Sequence, residues 1–486
     1  KYKTYSAIQK KMKEVIANTA KDGWCVFTGW DVELVPDLPE LSADYLDTTF
    51  SAEVKILVAT QTGNSAFANR AALSSSHISA DTPDPPGGTY VRDKDGNLTG
   101  QLLEEPAIFE VLRHTPLPSI KNIMDAIRVV LKEFTKAGLT TVTEMALSVS
   151  KTGSEHAHAS GLPLQKLVSR DLDVVLHGIQ DEILRLPVRL AYYTIAETGA
   201  GRSEREKIVP PPKTGNKRIW RAGYKSFADG TTHDGTAAIK MPYLHSGLTE
   251  KLSFPLNPNY GKLNWTCDEL LQQVKPYHDA GWQVAIHAQG DRAIDQVLQV
   301  YEALGGKNRR HRIEHMGLAS EDQLAKCALL NASPSMFVSQ LYYYGKIFSK
   351  DFLGKDYTDN WSPVDFAFKY GCNVSLHQGT PYFPGPPQPL ASMKTAVTRT
   401  HKDDGTTVYG PKHRISVHQA IQAYTTGPAW QLFRENELGR LKVGFNADLV
   451  ILSANPYLVD PMKLDDPNTI RVVETYIDGH CNRISM

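Results

Sequence analysis

The sequence predicts an α/β protein: a parallel (β/α)8-type barrel, one strand short of eight, followed by a small β-sandwich. Three observations predict it. Seven short β-rich runs lie between residues 138 and 379, separated by amphipathic helical patterns. Most of the runs close on Gly, Asp or Asn, and four carry a polar residue near the end of an otherwise apolar strand. Beyond about residue 436 the rhythm changes to strand-turn-strand. Alternating strands and helices argue for parallel β/α units, and so many in succession favour a barrel over an open sheet.

In chain order, KYKTYSAIQKKMKEV opens as a basic amphipathic helix and not as a signal peptide. WCVFTGWDVELV and VKILVATQTGN read as strands, and TYVRDKDGNLTG reads as a hairpin around Asp95-Gly96. Its DKDG lacks the later ligands and closing Glu of a calcium loop, so the hairpin is expected. Residues 1–120 are thus assigned to an insertion or lid region of the barrel domain. The barrel proper is assigned to 121–435. Its strands are GLTTVTEMA (138–146), VRLAYYTI (188–195), AGYKSFADG (222–230), WQVAIHAQG (282–290), HRIEHMG (311–317), SMFVSQL (335–341) and CNVSLHQG (372–379). Helical patterns at 123–137, 267–280 and 291–304 lie between them, and another runs from about 417 to 433. LGRLKVGFNADLVILSANP and IRVVETYIDGHCN assign 436–486 to the sandwich.

Composition narrows the function. The chain has 486 residues, of which 41% are hydrophobic and 22% charged, enough for a large core or two domains. Basic and acidic residues balance at 53 each, so no net field attracts nucleic acid, and a small-molecule substrate is expected. No stretch approaches the roughly 20 apolar residues of a membrane helix, and the chain as given reads as soluble. Five dispersed cysteines without CxxC spacing imply neither a disulfide framework nor a thiolate zinc site and favour a reducing compartment. Sequons at Asn97, Asn264, Asn331 and Asn373 leave secretion open. A homodimer is compatible with the sequence.

In parallel barrels chemistry gathers at the C-terminal ends of the strands. Lys225 in YKSFADG, His287 in VAIHAQG, His315 in RIEHMG and His377 in VSLHQGTP all fall there. Burying such a group unpaired costs on the order of 1–3 kcal/mol, so each calls for a partner. Imidazoles from successive strands suit a divalent metal, zinc above all. A buried lysine has a lowered pKa and can take up carbon dioxide as an anionic carbamate, itself a ligand. Plainer readings stand beside these: Lys225 paired with Asp229 or Glu314, and His377 bonded to its loop. His156 and His158 have H-x-H spacing but lie in a Ser/Gly-rich stretch that reads as an exposed loop.

HAQGDRAIDQVL, RHRIEHMGL, SLHQGTP and LGRLKVGFNADLVILSANP together resemble the amidohydrolase superfamily, in the branch that includes N-substituted formamide deformylases. VFTGWD, NRAAL, TPDPPGGTYVRDKDGNLTGQLLE, GLTTVTEM and KSFADG extend the resemblance over nearly the whole chain. It implies a barrel beside a sandwich built from both chain ends, and one or two divalent ions, zinc or another, that activate water against C–N bonds. On it, Lys225, His287 and His315 match metal ligands, and His377 is an acid/base candidate. It also implies that the first barrel strand, with its H-x-H ligands, is missing from this chain. The carboxylate of the family's eighth-strand motif falls on Gly379. Asn64, in Gly63-Asn64-Ser65, and Gln340 stand where the family places histidine, and Lys346 where it places aspartate. Asn64, Gln340 and Tyr344 are therefore substrate-binding candidates.

Two functions follow. One is a metal-dependent hydrolase of an amide or formamide C–N bond. The other is a metal-free cyclase, isomerase or binder on the same scaffold, with Tyr342, Tyr343, Tyr344, Tyr382 and Phe383 lining its pocket.

Overall fold

The computed structural model describes residues 3–61, 63, 65–85, 88–116, 120–147, 188–196, 208, 210–211, 218–252, 254, 258–379, 385–402 and 404–483. The chain forms two compact units. The first is built on Lys1–Asp125, the second on Ala126–Leu147 and the described residues of Leu176–Thr380 and Pro386–Met486.

The first unit is a mixed sheet. Strands β1 (Trp24–Trp30), β2 (Lys55–Thr60), β3 (Ser65–Ala68), β4 (Thr89–Arg92) and β5 (Leu98–Leu103) lie in the order β1-β2-β3-β5-β4, with only β1 and β2 parallel. Alternation along β2 sends Ile56 and Val58 to one apolar cluster and Leu57 to the other, so both faces are covered. Met12 and Ile16 of helix Tyr5–Ala17 join the first cluster, and Ala107 and Val111 of helix Glu104–Leu112 join the second. The expected hairpin joins β4 to β5. Asp93 Oδ1 accepts the N–H groups of Asp95 and Asn97 at 2.9 Å each, and Gly96 takes φ 85°. The carboxylate therefore serves the turn.

The second unit holds the expected run of parallel strands: β6 (Thr141–Leu147), β7 (Arg189–Ile195), β8 (Ile219–Phe227), β9 (Gln283–Ala288), β10 (Arg312–His315), β11 (Ser333–Met336) and β12 (Ser375–Leu376). Each pairs in parallel with its sequence neighbour. Among the described residues no eighth strand joins β6 to β12. Val284, Ile286 and Ala288 of β9 pack with Val297 and Leu298 of helix Asp291–Leu304, whereas Ala285 packs with Ala191 and Tyr193 of β7 on the opposite face. Helices Cys267–Asp279, Glu321–Leu330 and Val417–Gln422 begin with capping boxes, Thr266/Glu269, Ser320/Gln323 and Ser416/Gln419, which satisfy N–H groups that would otherwise lack partners.

Two expected elements differ. The sixth run, SMFVSQL, leaves the sheet after Met336 and enters helix Ser339–Ile347, so Gln340 is helical. An apolar run of this length carries no period that separates strand from helix. The tail forms one antiparallel sheet, β13 (Leu449–Leu452), β14 (Val472–Ile477) and β15 (His480–Arg483), in the order β13-β14-β15. The second layer a sandwich needs is not among the described residues. This sheet is bound to the parallel strands. Thr475 Oγ1 donates to Thr135 O at 2.8 Å, and buried Arg189 of β7 donates from Nε and Nη2 to Asp448 at 2.6 and 3.0 Å and also to Asp478.

Cys25, Cys267, Cys327, Cys372 and Cys481 carry free thiols. Among the described residues no helix is long and apolar enough to cross a membrane.

Candidate active site

His287, on the last turn of β9, lies in register with Phe227 on one side and Glu314 on the other. Its Nε2 is 2.9 Å from the Gly230 carbonyl and 3.5 Å from Asp229 Oδ1. A carbonyl only accepts, so Nε2 carries a proton.

His315 reaches the same place by breaking the rule of its strand. In β10, Arg312 and Glu314 face one side and Ile313 joins the outer apolar cluster, so alternation would carry residue 315 outward. Left-handed backbone at His315 (φ 75°) and Met316 (φ 45°) reverses this. The His315 ring then sits 4.4 Å from that of His287 and 4.9 Å from that of His377, edge-on to both. Such backbone costs of order 1–3 kcal/mol and persists where its surroundings enforce it. His377 follows β12 and extends the ladder through its N–H to Met336 O at 3.2 Å. Phe337 closes that flank, 4.5 Å from the His377 ring and 5.8 Å from the His315 ring.

Two imidazole nitrogens here, Nδ1 of His315 and Nε2 of His377, are buried without a hydrogen-bond partner. Burial holds His315 well below the usual histidine range, reinforced by the neighbouring His287 and His377, and pushes His377 down to about 4. Both rings are therefore neutral near pH 7, the form that ligates metal. Among the described residues no three His, Cys, Asp or Glu side chains stand as a ready ligand set.

Lys225 joins these rings through Phe227. Its Nζ lies 3.9 Å from the Phe227 ring centre, and that ring is 5.7 Å from His287. It is 2% exposed, and burial, opposed by Glu314, pushes its pKa down to about 8. Glu314 is itself buried. Burial favours its neutral form, but Arg312, bonded at 2.7 and 3.2 Å, outweighs burial and holds it below the usual carboxylate range. Lys225 is thus acted on by the Glu314 and Asp229 charges that the plainer reading named, without an ion pair to either among the described contacts, and its own charge acts on His315 and His377.

Next to these rings is a group whose parts the sequence reading had not brought together. Asp229 accepts the N–H groups of Gln289 (3.0 Å), Gly290 (2.9 Å) and Ala238 (3.0 Å), and burial raises it to about 7 despite those bonds. Thr232 N–H donates to Gln289 Oε1 at 2.6 Å, Gln289 Nε2 donates to Gln340 Oε1 at 3.3 Å, and Gln340 Nε2 lies 3.3 Å from His233 Nε2. Each amide is oriented by the one before, so His233 accepts at Nε2. Tyr344 meets the His233 ring edge-on at 4.4 Å. His233 sits in a Gly/Thr loop, ADGTTHDG, whose only sequence signal is a histidine shortly after a strand end.

The remaining candidates divide. Gly379 is exposed, with φ 65°. Gln340 and Tyr344 are buried one turn apart on helix Ser339–Ile347. Tyr342 is occupied elsewhere, donating to Asp465 at 3.0 Å. Tyr343 packs edge-on to Tyr342 at 5.0 Å. Asn64, Tyr382, Phe383, His156 and His158 lie outside the described residues.

Comparison with known proteins identifies the family and the fold. The chain is 27% identical to the putative amidohydrolase YtcJ of Bacillus subtilis (strain 168), over 97% of this chain and 82% of that protein. It is 26% identical to the N-substituted formamide deformylase of Arthrobacter pascens, over 85% of this chain and 70% of that one. An uncharacterized metal-dependent hydrolase from Pyrococcus horikoshii OT3 superposes with a TM-score of 0.68 at 21% identity, over 94% of this chain and 82% of the other, and shares the fold. The model of the amidohydrolase family matches residues 2–481, and the chain belongs to that family.

Proposed function

We propose that this protein hydrolyses a C–N bond of amide or formamide type in a small molecule, with a divalent metal, zinc or a similar ion, held by His287, His315 and Lys225. One observation carries the reading: three histidine rings meet at the C-terminal ends of parallel strands, and buried nitrogens of two of them have no partner. Unsatisfied buried nitrogens are expensive, and neutral imidazole is a preferred zinc donor, so the residues fit such an ion. The ion when bound would supply Lewis-acid polarisation and a water acidified towards pH 7.

The chain's own groups take the other roles. Lys225, pushed down to about 8, is suited to conversion to a carbamate that adds negative charge to the ligand set. His377, neutral near pH 7, is the proton-transfer candidate, because Gly379 offers no carboxylate. Gln340 and Tyr344 would bind substrate, the first by hydrogen bonding and the second by apolar contact. Asn64 is assigned the same role from sequence.

The test is metal content after gentle purification, together with hydrolysis of a panel of N-substituted formamides and small amides with added zinc. We expect about one ion per chain and turnover of at least one panel member, both lost in His315→Asn. His377→Ala should keep the metal and lower the rate by about 10²–10⁴. A wild-type protein that neither binds zinc nor hydrolyses any member overturns the reading.

A further inference from the structure

We propose that Asp229 is a positioning residue: by anchoring the loop after β8 it holds the Gly230 carbonyl against His287 and so fixes which nitrogen of that ring carries the proton. The loop is fastened to the end of β9 at several points. Asp229 takes the N–H groups of Gln289 and Gly290, immediately beyond His287, and that of Ala238 across the loop. Thr232 N–H closes on Gln289 Oε1. Gly230 lies between these anchors, with its carbonyl 2.9 Å from His287 Nε2. Asp229 Oδ1, 3.5 Å from the same nitrogen, places a second acceptor oxygen on the side where the proton sits.

A neutral imidazole carries one proton. If Nε2–H is enforced, the lone pair lies on Nδ1, and His287 is presented to a ligand through that nitrogen alone. Groups behind a metal-binding histidine commonly fix ring and tautomer in this way and are worth 10–100-fold in metal affinity. The loop also contains Gly230, where an added Cβ would come within 2.2 Å of Thr236 Oγ1, so any larger residue at the carbonyl's own position would displace Thr236. This inference rests on the proposed metal site only for its functional consequence, because the tautomer is a property of the protein without metal.

The experiment is 15N NMR of the imidazole rings in metal-free, histidine-labelled protein, with the His287 signals identified by their loss in His287→Gln. We expect wild-type His287 in the Nε2–H form alone. Asp229→Ala should give a mixture of the two tautomers, and its zinc affinity by chelator competition should fall 10–100-fold while far-UV circular dichroism is unchanged. Should Asp229→Ala fail to fold, Asp229→Asn, which keeps the shape but turns one of the two acceptor oxygens towards the loop into an NH2 donor, is expected to show the same tautomer mixing. A wild-type ring protonated on Nδ1, or a folded Asp229 variant with the wild-type tautomer, overturns the proposal. A wild type that binds no zinc overturns the metal reading instead and leaves the tautomer result to decide the role of Asp229.

Discussion

The two ends of the parallel strands treat buried polar groups in opposite ways. At the N-terminal end Gln431, from helix Thr426–Gln431, saturates its surroundings. Its Oε1 accepts from Arg312 Nη1 and Ser375 Oγ, both at 2.8 Å, and its Nε2 donates to Pro334 O at 2.9 Å and Asn373 O at 2.7 Å. Its own carbonyl takes Gln283 Nε2 at 2.9 Å, and Gln283 in turn accepts from the Tyr193 hydroxyl. At the C-terminal end His315 Nδ1 and His377 Nε2 have nothing. Gln431 meets the cost of burial from within the chain, as Asp229 does at the other end, but the two imidazole nitrogens do not. A saturated network specifies a structure, whereas unsatisfied buried imidazole nitrogens call for a partner, which the metal proposed above would supply.

The comparison breaks most sharply at Gln431. Gln431→Leu would strand Arg312, Ser375 and two carbonyls at about 1–3 kcal/mol for each group left unpaired. We expect a loss of about 4 kcal/mol or more in urea unfolding, and a variant within 1 kcal/mol of wild type would show the lower network to be decorative.

A second, smaller effect sharpens it through pH. His311 accepts Val284 N–H on Nδ1 at 2.9 Å and therefore donates from Nε2 to His278 Nδ1 at 2.8 Å. Burial, with His278 and Arg309 nearby, pushes it down to about 3. The unfolded ring binds its proton near pH 6.5 and the folded ring does not. Stability is therefore level above about pH 7 and falls by about 1.4 kcal/mol per pH unit below 6.5 for this group. His311→Gln should lower stability at pH 7 and flatten the acid limb of a stability–pH curve. An unchanged slope would count against a neutral buried ring.

The smallest effect has the opposite sign. His377→Leu removes an unpaired buried nitrogen, and we expect metal-free protein to gain about 1 kcal/mol in thermal unfolding while turnover is lost. Destabilisation by 2 kcal/mol or more would mean that His377 is held by bonds after all.

Much of the fold was legible in the chain, because period-2 runs alternating with helical patterns leave little choice of architecture. Lys225, His287 and His377 were legible for the same reason, as polar interruptions at strand ends. His315 was found at the right strand end, but its inward turn was not readable, since alternation places it on the outer face and only its left-handed backbone brings it in. Gln340 was assigned to a strand because SMFVSQL has no distinguishing period. Gln431 was invisible: the partners of its side chain lie 56 to 119 residues away, and an amide in a helix gives no local hint of them. The bonds between the loop at 229–233 and the end of β9 are likewise long-range, so Asp229 could be named as a neighbour of Lys225 but not as an anchor.

Arg189 has a consequence for how the chain is made. Its guanidinium is buried on β7, and its counter-ions Asp448 and Asp478 follow 259 and 289 residues later. At synthesis rates of about 5–20 residues per second, Arg189 leaves the ribosome on the order of fifteen seconds to a minute before either partner exists. During that interval β7 lacks the two carboxylates that its guanidinium is paired with in the finished fold. The last step in securing β7 therefore waits for the tail, and chains cut short before Asp448 should be more readily cleaved by proteases around β7 than the full chain.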